Sequence, residues 1–243
     1  MSISLVISDL HSNLPALTAV MEIAVREGCD EYLCLGDIAG YGAQPVEVID
    51  LLRSNDVRCI QGNHDSLITR QNPGLNYSSV SHLAAEHNRG LLSEDHLQFL
   101  ADLPEQLKGR RGCLLIHGSP EYQDTYLINE AQIGAASTEV MDRMGPGLCF
   151  FGHTHVPAFH DGHSHIFTPE QPFICAPDKR IMINPGSVGQ PRDGDPRASF
   201  ALWDREAGTV RLMKAEYDVE AARDAILEAG LPRILGDRLL RGH

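Results

Sequence analysis

The chain has 243 residues, 42% of them hydrophobic and 22% charged, which is ordinary globular composition and enough length to bury a sizeable core. A formal net charge of −13 argues against a surface that grips polynucleotide backbones, because that task needs clustered Lys and Arg. The same charge leaves room for a small phosphate-bearing substrate, since bound cations dominate their local field.

In chain order, the β-branched run at 3–7 predicts a first strand, ending in Ser-Asp-Leu-His-Ser-Asn. A helix follows, capped by Ser12 or Asn13, with Pro15 in its first turn and Gly28 as its stop. Tyr-Leu-Cys-Leu at 32–35 predicts a second strand that stops at Gly36-Asp37. A helix over 45–52 then leads to a third strand at 57–60, which stops at Gln-Gly-Asn-His-Asp. Strands alternating with helices imply a parallel sheet with crossover connections. Residues 66–109 break that rhythm with polar helical patterns at 81–92 and 93–103 and loop signals at Asn-Pro-Gly (72–74) and Pro104, predicting a helical insertion that covers the site or packs on one flank. Strand signals resume at 113–116, 148–151 and 181–183. Ala-Ser-Phe-Ala-Leu-Trp and Thr-Val-Arg-Leu-Met-Lys form a hairpin through Asp-Arg-Glu-Ala-Gly, and residues 218–230 carry a helical stripe. With no repeats or linkers, residues 1–243 read as one domain.

The six cysteines form no Cys-x-x-Cys pair, and several lie in apolar runs, so they read as small buried hydrophobes in a reducing compartment. The first residues, Met-Ser-Ile-Ser-Leu-Val-Ile-Ser-Asp-Leu, lack a basic leader, and no stretch approaches the ~20 apolar residues of a membrane span. The expectation is a soluble, cytoplasmic protein.

Every central strand ends in the same kind of residue. Strand one delivers Asp9 and His11, strand two Asp37, and strand three Asn63, His64 and Asp65. His117 follows the fourth, and His153 and His155 follow the fifth, sharing one face if the chain stays extended. Gly36, Gly62 and Gly152 precede ligand-type residues, as close backbone approach requires. In an open α/β sheet the carboxyl ends of the strands gather at one edge, where ligands bind. Two carboxylates, one amide oxygen and four imidazoles exceed the needs of one four-coordinate ion. They suit two divalent ions ~3.5–4 Å apart that share a carboxylate, an arrangement used for phosphoryl chemistry. Mixed nitrogen and oxygen donors without thiolate favour manganese, iron, zinc or cobalt.

Asp-Leu-His-Ser-Asn, Gly-Asp-Ile-Ala-Gly-Tyr-Gly, Gly-Asn-His-Asp, His-Gly-Ser-Pro and Gly-His-Thr-His occur in the order and approximate spacing of the calcineurin-like metallophosphoesterases. The resemblance spans about 3–203 and is closest to the small prokaryotic phosphoesterase branch. It implies a four-layer α-β-β-α sandwich, two mixed sheets flanked by helices. It also implies that Asp9, His11 and His155 hold one ion, that Asn63, His117 and His153 hold the other, and that Asp37 bridges them. Hydrolysis would proceed by attack of a metal-bridging hydroxide, with His64 aiding departure of the leaving oxygen and Asp65 orienting His64 through a hydrogen bond. Arg192 is a candidate clamp for a substrate phosphate, Tyr41 a candidate at the site mouth, and Asn184 and Ser187 candidates to shape the pocket.

The remaining histidines have plainer readings. His160, His163 and His165 flank a hairpin turn at Asp161-Gly162, and His82, His87 and His96 sit on polar helices in solvent. The protein Ser/Thr phosphatase branch carries arginines after its Gly-Asp and before its Gly-Asn-His; here those places read Ile-Ala-Gly-Tyr-Gly and Cys-Ile-Gln. The leading expectation is therefore phosphodiester hydrolysis, including nucleotide substrates. A phosphomonoesterase or protein phosphatase is the alternative, and a non-catalytic metal-binding scaffold of the same fold a weaker third.

Overall fold

A computed structural model describes residues 2–70, 77–165, 171–176 and 178–243; the Asn-Pro-Gly signal at 72–74 lies outside them. The first half runs β1 (Ile3–Ile7), α1 (Leu14–Arg26), β2 (Glu31–Cys34), α2 (Pro45–Ser54), β3 (Arg58–Cys59), α3 (Asn63–Thr69), α4 (Ser79–Leu91), α5 (Glu94–Ala101), β4 (Gln106–Lys108) and β5 (Leu114–Ile116). The second runs α6 (Glu130–Met144), β6 (Gly147–Phe150), β7 (Ala158–His160), β8 (Ser164–His165), β9 (Pro172–Ile174), β10 (Arg180–Asn184), β11 (Ala198–Asp204), β12 (Thr209–Ala215), α7 (Val219–Glu228) and α8 (Arg233–Leu239).

Two six-stranded sheets form, in the orders β3-β2-β1-β11-β12-β9 and β4-β5-β6-β10-β7-β8. Both are mixed. β1, β2 and β3 are parallel, while β11 runs antiparallel to β1. β5, β6 and β10 are parallel, flanked by antiparallel β4 and β7.

The period-2 alternation of strand side chains explains the layering. On β1, Leu5 and Ile7 pack under α1 and α2, whereas Val6 faces the second sheet. On β6, Leu148 and Phe150 meet Val6, Leu33 and Trp203 between the sheets, while Cys149, and Phe151 just past the strand, turn outward toward Ile133 and Val140 of α6. Strands apolar on both faces belong in a sandwich covered by helices on both sides. The four layers are thus helix, sheet, sheet, helix.

Local capping sets the helix starts. Asn13 accepts from Ala16 N at α1, Ser78 from Ser81 N at α4, Ser93 from His96 N at α5, and Asp218 from Ala221 N at α7. Gly28 follows α1 at φ +72°, as a helix-stopping glycine should.

The 66–109 segment departs from an all-helical reading: its last part, β4, is an edge strand of the second sheet. β9, α6 and α8 also escape the pattern reading. All six cysteines are free, with Cys34, Cys59, Cys113 and Cys149 buried. Among the described residues no helix is long and apolar enough to cross a membrane.

Candidate metal centre

Register brings the ligand-type residues together. Ile7 lies beside Cys34, and Cys34 beside Cys59, so Asp9, Asp37 and Asn63 leave one edge of the first sheet within a few residues of each other. Phe150 pairs with Leu115 and with Ile183, which sets His117 and His153 at the corresponding edge of the second sheet. Gly36 and Gly62 make the approach possible. A Cβ on Gly36 would stand 2.4 Å from Gly62 N, and one on Gly62 would stand 2.2 Å from Asp37 N.

Two groups of ligand atoms converge, each within 4.8 Å. One comprises Asp9, His11, Asp37 and His155; the other comprises Asp37, His117 and His153, and all of these residues are buried. Asp37 belongs to both. Asn63 joins the second group, its Oδ1 lying 3.0 Å from His117 Nε2. The seven residues singled out from the sequence are therefore neighbours in space.

The hydrogen-bond logic of the cluster asks for a cation. His117 Nδ1 lies 2.7 Å from the Leu35 carbonyl and donates to it, so Nε2 is the nitrogen left to hold a proton or, in its place, a cation. Nε2 faces two acceptors, Asn63 Oδ1 and, at 3.3 Å, Asp37 Oδ2. His155 repeats the pattern: Nδ1 donates to the Gln190 carbonyl at 2.6 Å, while Nε2 faces Asp9 Oδ1 at 3.4 Å and His11 Nε2 at 3.1 Å. Asp37 Oδ2 is buried and has no hydrogen-bond partner among the described residues. Converging ligand atoms on imidazole and carboxylate are what a divalent ion satisfies, with His117 and His155 each fixed by a carbonyl on the far nitrogen. The donor set fits the metal.

Electrostatics agree. Burial holds His11 and His155 well below the ordinary imidazole range, and burial with the nearby His117 charge takes His153 down to about 3, so these rings are neutral and ready to ligate. Burial also disfavours charge on His117, but Asp37 and Asp9 outweigh it and hold that ring up at about 9, so an ion bound there would take the place of its Nε2 proton. Burial and the Asp37 charge push Asp9 up to about 7. Asp37 stays well below the usual carboxylate range: burial opposes its charge, and His117, His64 and His11 together prevail.

The other sequence candidates sit around this cluster. His64 is buried, its ring 4.9 Å from that of His11, and its backbone N–H donates to Asp37 Oδ1 at 2.8 Å. The expected bond from Asp65 to that imidazole is not what forms. Asp65 Oδ1 accepts from Ile38 N and Ala39 N, and its Oδ2 accepts from Gly62 N. His64 Nδ1 has no partner among the described residues. As third residue of α3, Asp65 reaches back to the Gly62 amide at the helix start and ties the loop after β2 to the loop after β3 instead.

Tyr41 lies deeper than a mouth position, only 8% exposed, with its ring 4.5 Å from His11 and 4.6 Å from His64. The Arg192 guanidinium stands 5.9 Å above the Tyr41 ring, at the same cluster. Ser187 Oγ donates to the Asp9 carbonyl at 2.8 Å, and Asn184 Nδ2 to the Gly152 carbonyl at 2.9 Å, so the 184–189 turn braces both ligand loops. His160 ends β7, as expected of a hairpin flank. His96 is not simply solvated, for it caps α5 against Ser93 and reaches Asp50 at 3.2 Å.

Three contributors were not legible beforehand. Tyr77 hydrogen-bonds Asn63, fully buried Asn88 joins Ser12 to Gly40 and Gly42, and the Tyr126 ring lies 3.9 Å from that of His153. Only Asn88 carried a signal, as a polar residue on the buried stripe of α4.

The sandwich and its acidic, imidazole-rich rim define a phosphoesterase, and the chain belongs to the calcineurin-like phosphoesterase superfamily, whose domain pattern matches residues 1–208. It is 34% identical to an uncharacterized protein of Methanocaldococcus jannaschii, over 98% of this chain and 97% of that protein. It is 24% identical to the phosphodiesterase YfcE of Escherichia coli, over 84% of this chain and 88% of that one. The crystal structure of a metallophosphoesterase from Sphaerobacter thermophilus superposes with a TM-score of 0.86 at 36% identity, covering 100% of this chain and 99% of that chain.

Proposed function

We propose that the protein is a two-metal phosphodiesterase acting on small phosphodiesters, nucleotides among them. The observation that carries this reading is the pair of ligand groups that share Asp37. On this reading Asp9, His11, Asp37 and His155 hold one divalent ion, and Asp37, Asn63, His117 and His153 hold the other. Such ions supply Lewis acidity toward phosphate oxygens and lower the pKa of water. Manganese, iron, zinc and cobalt all suit the donors.

The chain's own residues do the rest. The Leu35 and Gln190 carbonyls fix the tautomers of His117 and His155, so that lone pairs point inward without reorganisation. His64, beside the ligands with an uncommitted nitrogen, offers a proton or hydrogen bond to the departing oxygen. Asp65 holds the loops that carry Asp37 and His64, and Tyr41 packs His64 in place. Arg192 binds a non-bridging phosphate oxygen. A net charge of −13 suits a small phosphoester, met in the cytoplasm, better than a nucleic-acid polymer. The relative named a phosphodiesterase supports the diester assignment.

The test is metal-free protein reloaded with manganese, then given bis(p-nitrophenyl) phosphate and p-nitrophenyl phosphate side by side. Faster diester turnover is the expected outcome. Monoester preference overturns the diester assignment, and silence with manganese, iron, zinc and cobalt alike overturns the hydrolase.

A further inference from the structure

We infer that Tyr77 is a positioning residue that decides which atom of Asn63 is presented to a cation. The inference rests on the two-ion reading above and deepens it at one of the two sites.

A carboxamide has one end with lone pairs and one without, and only the oxygen can ligate. The Tyr77 hydroxyl accepts from Asn63 Nδ2 at 3.0 Å and donates to the Asn63 backbone carbonyl at 2.9 Å. Its single hydrogen is thereby committed to the backbone, and only lone pairs face the carboxamide. The amide nitrogen must point at Tyr77, and Oδ1 must point the other way, where it lies 3.0 Å from His117 Nε2.

Without the hydroxyl that constraint is gone, and the carboxamide can turn its nitrogen toward the cation position. A flipped Asn63 would set its NH2, which has no lone pair to give, where Oδ1 now lies 3.0 Å from His117 Nε2. That orientation would have to be undone each time a cation bound. Tyr77 is itself held in place: it immediately precedes Ser78, whose hydroxyl caps α4, and its ring packs edge-on 5.6 Å from His64. The inserted segment therefore touches a candidate ligand directly through this side chain.

The site concerned is the one least able to lose a donor. Asp9 and Asp37 both serve the first group, whereas the second has Asp37 as its one carboxylate beside His117, His153 and the neutral oxygen of Asn63.

The experiment is manganese titration of the metal-free full chain by calorimetry, with manganese content measured in parallel, on wild type, Tyr77→Phe, Asn63→Asp and the double variant. Wild type should bind in two steps. Tyr77→Phe should leave the tighter step unchanged and weaken the other about 10–100-fold, the usual effect of removing a partner that orients a ligand. A carboxylate presents equivalent oxygens whichever way it faces, so Tyr77→Phe should cost nothing further in the Asn63→Asp background. An unaltered second step in Tyr77→Phe, equal weakening of both steps, or the same loss in the Asn63→Asp background each overturns the inference alone. A wild-type chain that takes up a single manganese overturns the two-ion reading, and the inference with it.

Discussion

Asn88→Ala measures how strongly α4 holds the loops that carry the candidate ligands. Asn88 is completely buried; Oδ1 accepts from Ser12 Oγ at 2.6 Å and Gly40 N at 2.9 Å, and Nδ2 donates to the Gly42 carbonyl at 2.9 Å. One carboxamide thus joins the loop after β1, next to His11, to the loop after β2, just past Asp37. Alanine strands a hydroxyl, an amide and a carbonyl, each costing about 1–3 kcal/mol when buried without a partner. Water entering the vacated space relieves part of this, so the low end, about 3 kcal/mol in all, is the working figure. An unfolding entropy of about 2.1 cal/mol/K per residue gives roughly 0.5 kcal/mol/K for 243 residues, and Tm should fall by about 6 °C. Calorimetric melting of the metal-free protein reads this directly. Asn88→Asp, similar in size but setting a carboxylate against the Gly42 carbonyl, should melt below wild type as well. An Asn88→Ala protein melting within about 1 °C of wild type would refute the reasoning.

His64→Gln should lower kcat by about 10²–10⁴ while manganese content stays at the wild-type value; loss of metal would make His64 a ligand. Arg192→Ala should raise KM for the diester, and Arg192→Lys should restore it poorly because an ammonium lacks the bidentate fork; an unchanged KM would remove Arg192 from substrate contact. Manganese at about 100 times its Kd should stabilise the metal-free fold by about 2.7 kcal/mol, near 5 °C in Tm, and a melting curve indifferent to manganese would contradict the cage. In the metal-free protein His155→Gly should melt above His155→Ala by about 2 °C, since φ is +60° there and a left-handed residue with a Cβ costs about 1 kcal/mol more than glycine; the ordinary order, alanine above glycine, would disprove strain at this position.

The layers and ligands were legible because they rest on local signals. Strand runs ending in Asp, Asn or His report both the sheet and its functional edge, and Asn13, Pro15 and Gly28 mark α1 by capping chemistry alone. What stayed hidden depends on contacts distant in sequence. Tyr77 matters only because it meets Asn63, 14 residues away, and Tyr126 only because it meets His153. β4 is an edge strand whose identity comes from pairing with β5, and α6 carries a weakly amphipathic pattern with only Ile133, Ala136, Ser137 and Val140 buried. Asp65 shows a subtler limit. Its adjacency to His64 suggested a side-chain pair, but at the first turn of a helix a carboxylate is drawn to free backbone amides, and Ile38, Ala39 and Gly62 supply three.

Asp9, His11, Asp37, His153 and His155 all adopt left-handed backbone, with φ between 44° and 68°. Asp and His tolerate that region better than most residues, so about 1 kcal/mol each is a fair cost, and five such residues together approach the net stability of an ordinary domain. The conformation follows from the site's position: a chain leaving a strand must turn at once if its next side chains are to point at a common centre. The compensation lies in the same loops. Asp9 N donates to the Gly36 carbonyl at 3.0 Å, His11 N to that of Asp37 at 2.9 Å, Ser12 N to that of Ile38 at 3.0 Å, and Gly189 N to that of Asp9 at 2.9 Å. Backbone pairing thus continues past the ends of the strands and holds Asp9, His11 and Asp37, while His153 N donates to the Asp9 carboxylate. A site held in this way draws its geometry from backbone hydrogen bonds of the fold. That sets it apart from small metal-nucleated domains, whose fold is the product of binding, and places the cost of assembling the site on the two-sheet core rather than on the metal.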